Sequence, residues 1–146
     1  MNRRTLTLFI SLACLVGAVD ARDDHVGLFK NVTGKVQIER NGTLIAAAAG
    51  TTLFVSDRLL SASDASAGIV FKDGTLLTLG GVSDIQVRNY VFEPAEANYA
   101  FAVYLAKGTA IYSSGKIGKL APESVKVGTP TSTVGVRGTR FIIEAH

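Results

Sequence analysis

Cysteine, histidine and tryptophan are scarce in this chain: one, two and none among 146 residues. The single cysteine, Cys14, lies in an apolar N-terminal segment, so no pair of thiols can build a disulfide framework. Nucleophilic catalysis needs a base beside the nucleophile. His25 and His146 stand near the two ends, where chains fray, which argues against Ser–His and Cys–His chemistry alike. Zinc and iron sites draw on clusters of His, Cys and carboxylate, and cupin-type metal enzymes on several histidines. Calcium would want closely spaced ligands of the Asp-x-Asp-x-Asp kind, and no such run occurs. No cofactor and no metal are therefore expected. Beyond residue 21 the basic residues are scattered singly, so nucleic acid is not an expected partner. Gly135-Val136-Arg137-Gly138-Thr139-Arg140 lacks the Gly-x-x-x-x-Gly-Lys spacing of a phosphate loop. It runs into Phe141-Ile142-Ile143, which reads as a strand rather than a helix.

The chain opens with MNRRTLTLFISLACLVGAVDARDD. Arg3 and Arg4 precede an uncharged, mostly apolar run from Leu6 to Val19, about 14 residues against the roughly 20 that span a bilayer. Val19-Asp20-Ala21 has the small-x-small form of a cleavage site. Residues 1–21 are thus expected to be a signal peptide and 22–146 the mature domain, periplasmic or secreted. An uncleaved anchor or a buried helix is the competing reading. Lipidation of Cys14 is a minor one, because Ser11 stands where a lipobox carries an aliphatic residue. The 146 residues less the 21 of the leader leave 125, enough for one domain held by its own core. Without Arg3, Arg4 and Asp20 the 15 basic and 12 acidic residues become 13 and 11, a net charge of about +2. No transmembrane segment is expected in the mature chain.

From residue 26 onward the chain reads as short strands. Val36 and Ile38 alternate with Lys35, Gln37 and Glu39, a period of two that buries one face. Asn41-Gly42 comes next, then Thr43-Leu44-Ile45. This is a hairpin signal, since both turn residues accept the positive φ of a type I′ turn. Ala67 to Lys72, Asp73-Gly74 and Thr75 to Leu79 predict a second hairpin of the same turn chemistry. Asp84 to Arg88 alternates again. Tyr99 to Leu105, Thr109 to Tyr112, Val125 to Val127 and Arg140 to Glu144 are further strands. Leu44 to Ala49 is the best helical window, but it is short, and a strand of small residues is the favoured reading there. The two hairpins resemble each other with an offset of about 32 residues, which suits stacked strands. The fold class expected is all-β.

Asp57, Asp64, Asp73 and Asp84 all sit beside turn residues, where carboxylates build turns. A hydrolase using Asp73 and Asp84 as its carboxylate pair would need them within roughly 10 Å. Tyr90, Phe92, Tyr99, Phe101 and Tyr104 are either core and cross-strand packing, which is favoured, or a platform for sugars. Arg137, between Gly135 and Gly138, is expected to be a buried guanidinium bonding carbonyls or a carboxylate, with a partner contact as the alternative.

The segments GKVQIERNG, Asp57-Arg58-Leu59, AGIVFKDGTLLTLGGVSDIQV and KGTAIYSSGKIGKLAPESVKVGTPTSTVGVRGTRFII together resemble the FecR domain over residues 27 to 144. Its signature positions here are Asn41, Gly42, Asp73, Gly74, Thr129, Pro130, Gly135, Arg137, Gly138 and Thr139, expected to be structural. The resemblance implies layered short strands and hairpins in a β-solenoid-like domain, with a β-sandwich as the alternative. It also implies a stand-alone exported protein, a non-enzymatic binding or signalling-accessory module with a protein partner in the cell envelope. A cell-wall or polysaccharide-binding role is the alternative. One departure concerns Ser56-Asp57-Arg58-Leu59-Leu60-Ser61: the family commonly has Gly-Asp before the Arg58-type position and Thr-Gly after it, so the turn there is expected to differ.

Overall fold

A computed structural model describes residues 23–146; the expected leader and Cys14 lie outside the described residues. Twelve strands succeed one another: β1 (Gly27–Thr33), β2 (Val36–Arg40), β3 (Thr43–Ala46), β4 (Thr52–Leu53), β5 (Arg58–Ser61), β6 (Ser66–Phe71), β7 (Leu76–Leu79), β8 (Asp84–Glu93), β9 (Asn98–Ser113), β10 (Val125–Gly128), β11 (Thr133–Gly135) and β12 (Arg140–Ala145). One short helix, α1 (Lys116–Leu120), follows β9. The protein is all-β, a curled sheet in the form of a half-barrel.

The long strand β9 is its spine. Its first part pairs with β8 and, in parallel, with β10; its last part pairs with β7 and β12. The change of partners falls at Gly108, whose φ of 97° is open to glycine and strained for other residues. A Cβ there would also lie 2.5 Å from the Cα of Ser83. From β9 the sheet runs through β8, β5 and β2 to β3 on one wing. On the other it runs through β7, β6 and β1 to β4.

Alternation drives the closure. Phe29, Ile38, Leu59, Ile69, Leu77, Ile85 and Leu105 all point inward and are essentially inaccessible. Burying each such side chain contributes about 1.5–3 kcal/mol. An aromatic row links the wings: Phe71 stacks on Tyr90 at 5.4 Å, Phe101 meets Phe71 edge-on at 5.0 Å, and Tyr112 stacks on Phe141 at 4.8 Å.

The Asn41-Gly42 turn has the expected geometry, with φ of 51° and 77° between the paired residues Arg40 and Thr43. The second turn differs. Only Gly74 is left-handed, at φ 85°, and Phe71 bonds to both Gly74 and Thr75. That is a longer turn closed by a glycine bulge. The expectation of identical turn chemistry is therefore corrected, and Asp73 is freed for another task. Ser56 takes φ 77°, so this turn keeps a left-handed residue where the family's glycine is replaced.

Candidate functional site

Asp73 is 2 % exposed. Its carboxylate accepts hydrogen bonds from the Tyr90 hydroxyl at 3.0 Å, the Thr75 hydroxyl at 2.6 Å, the Thr75 amide at 3.2 Å and the Ile117 amide at 3.1 Å. Four donors replace the water that a buried charge loses. The same residue takes the Lys116 amide on its carbonyl. It thereby joins the β6–β7 turn, β8 and the start of α1. No cation pairs with it among the described residues.

The other acidic residues are engaged elsewhere. Asp57, 1 % exposed, holds Arg40 in a fork at 2.7 and 2.8 Å and accepts the Phe54 amide at 2.9 Å. The guanidinium lies 4.6 Å from the centre of the Phe54 ring. The hydrogen bonds from Arg40 to Asp57 hold this guanidinium above the usual arginine range. Asp84 forks Arg58 at 2.5 and 2.8 Å, and Arg58 also reaches Glu39 at 3.0 Å. Asp73 and Asp84 thus belong to separate networks, one buried and one on the surface.

Among the aromatics, Tyr90 and Phe101 lie in the core. Phe92 and Tyr99 form a half-buried pair at 6.1 Å, and Arg88 caps the Tyr104 ring at 3.9 Å. Tyr90, stacked on Phe71 and 9 % exposed, offers little of its ring to a sugar.

The signature positions divide into three places. Asn41 and Gly42 are the exposed tip of the β2–β3 hairpin. Asp73 and Gly74 form the buried anchor and its turn. Thr129, Gly135 and Arg137 converge on a hollow of about 440 Å³ between the β10–β11 hairpin and β12, with Phe141, Ile142 and Glu144 on the far side. Pro130 lies in the loop beside it. Gly138 and Thr139 tie the β11–β12 segment to the end of β9: Ser114 donates its hydroxyl to the Gly138 carbonyl at 2.7 Å and its amide to the Thr139 carbonyl at 2.8 Å. The burial expected for Arg137 is corrected. Its side chain is exposed, and among the described residues it makes no hydrogen bond or ion pair, because this segment seats Val136 inward and turns the next side chain out.

β12 borders this hollow and, among the described residues, pairs on one side only, with β9. The bond from Ser114 to Thr139 sets its phase. Residues 141, 143 and 145 turn their amides and carbonyls toward β9, while Arg140, Ile142 and Glu144 turn theirs outward. Their side chains share one exposed face, and Ile142 is 64 % accessible. This open edge was missed at the level of single residues. Its signal is the spacing Arg-x-Ile-x-Glu in the closing strand.

No helix among the described residues is long and apolar enough to cross a membrane. No curated protein and no solved structure matches this chain. The family model described as FecR protein matches residues 57–146, from the buried Asp57 through the whole of β12. Strands β1 to β4 lie before the match, but β1 pairs with β6 and β2 with β5, so both sides build one sheet. The matched region includes the Asp73 anchor, the β11–β12 segment and the open edge, and the chain belongs to the FecR protein family.

Proposed function

We propose that this FecR-family chain is an exported, non-enzymatic, signalling-accessory module that works by protein–protein contact in the cell envelope. The family is a signalling-related one, which supports the general role. The observation that carries the contact is the edge of β12. Three outward amide–carbonyl pairs stand beside a hollow large enough to admit side chains. A partner segment entering as an extra strand would satisfy those groups, and the hollow would give it specificity.

Export rests on the leader pattern of residues 1–21. Intact-mass measurement of protein from cell envelopes is expected to find Arg22 as the first residue; a retained leader on cytosolic protein would contradict export. The contact is tested by placing a photo-crosslinking residue at position 142 in growing cells. Besides a self-adduct of the chain, one adduct with a different envelope protein is expected, absent in an otherwise identical chain carrying the crosslinker at Lys119, on α1. Equal adducts from both positions would remove the edge as the contact.

A further inference from the structure

We propose that β12, while no partner strand occupies it, pairs with β12 of a second copy, giving a symmetric dimer with a continuous sheet that partner and copy compete for; this rests on the reading of β12 as the binding edge. Two copies of one strand meet antiparallel around a two-fold axis, and the residue on the axis faces itself. With Ile142 on the axis, Arg140 of each copy stands opposite Glu144 of the other. The charges are thus opposite in sign at both ends. The most exposed apolar residue of the strand meets its own image between them.

The backbone phase agrees independently. Arg140, Ile142 and Glu144 are the residues whose amides and carbonyls point away from β9. Directly opposed residues in a hydrogen-bonded antiparallel pair exchange both bonds. The Ile142 register therefore fills every outward group of the three, whereas a slip by one residue would set outward groups against inward ones. The two-fold axis stands normal to the sheet, so exposed faces stay exposed and the half-buried Phe141 extends the core toward Ile143 of the second copy. Natural edge strands usually carry charges that repel another edge. Here their arrangement is self-complementary.

The experiment uses single charge reversals at exposed positions, which spare the core. Sedimentation of the purified wild-type protein is expected to show a monomer–dimer equilibrium. Arg140→Glu alone and Glu144→Arg alone should each weaken it by at least tenfold, since like charges then face each other. Mixing the two variants should restore a heterodimer, because each acidic edge meets a basic one; the double variant should restore the homodimer. Ile142→Pro removes an outward amide without touching the bonds to β9, and should leave a folded monomer. A wild-type chain monomeric at every concentration, or a dimer indifferent to the reversals, would overturn the proposal. Were that monomer still to yield the position-142 envelope adduct, the edge would bind a different protein and the functional reading would stand. Restoration on mixing without any adduct to a different envelope protein would leave the second copy as the edge's occupant and overturn the partner reading alone.

Discussion

Tyr90 and Asp73 bond to each other twice: the phenol donates to the carboxylate at 3.0 Å, and the Asp73 amide donates to the phenol oxygen at 2.8 Å. The pair fastens β8 to the β6–β7 turn inside the core. Tyr90→Phe removes a hydrogen bond to a charged group and orphans a buried amide, a loss of about 2 kcal/mol. Asp73→Ala leaves its four donors without an acceptor and should cost about 4 kcal/mol. Urea unfolding of the three proteins checks the order.

Alkaline pH should act through the same residue. Burial, and then the Asp73 carboxylate, hold the Tyr90 phenol well above its ordinary value, and burial raises Tyr112 too. In the unfolded chain tyrosine ionises near pH 10, so the unfolded state loses protons that the native state keeps. This contribution to stability is complete below about pH 10 and is lost as the pH rises beyond it. Urea midpoints measured at rising pH should fall less steeply above about pH 10 in Tyr90→Phe than in the wild type.

Tyr112 provides the contrast. Its hydroxyl is buried and, beside Ser114 and Thr75, makes no well-formed hydrogen bond among the described residues. Tyr112→Phe should therefore be neutral or stabilising by up to about 1 kcal/mol, with the ring stack on Phe141 retained. A loss as large as that of Tyr90→Phe would contradict the assignment of the polar anchor to Tyr90.

Backbone strain predicts opposite effects at neighbouring positions. Gly108→Ala adds a Cβ at φ 97° against the backbone of Ser83 and the Val82 carbonyl, and should cost about 3 kcal/mol or more. Val82 is β-branched, exposed and left-handed at φ 50°. Val82→Gly relieves about 1–2 kcal/mol of strain and returns about half of that in chain entropy. A net gain of about 0.5–1 kcal/mol corresponds to about 2–4 °C in Tm, measurable by calorimetry.

Much of the fold was legible because the strands obey period two. Val36 and Ile38, Ile69 and Phe71, and Ile85 and Val87 all point inward, as their spacing predicts. β4, β5 and β11 are too short to show a period, and β9 joins two expected strands into one; two further misses share a cause. In β1 the register skips Lys30, and in β8 it skips Arg88, so the alternation changes phase within each strand. β1 therefore shows no simple period of two, and β8 runs on to Glu93, past the end of its visible alternation at Arg88. The site was less legible. Asp73-Gly74 read as a turn, and local text carries no trace of Tyr90 and Ile117, which reach Asp73 through the fold. Arg137 between glycines reads as buried, but its neighbour Val136 takes the inward place. The β12 edge is a matter of which side of a strand lacks a neighbour, and only the sheet order decides that.

Amide hydrogen exchange along β12 tests the central claim most directly. In dilute protein the amides of Arg140, Ile142 and Glu144 should exchange fast while those of Phe141 and Ile143, turned toward β9, are protected; on association the first three should become protected as well. Uniform protection along the strand in dilute protein, or no change at these three amides when a complex forms, would contradict the account.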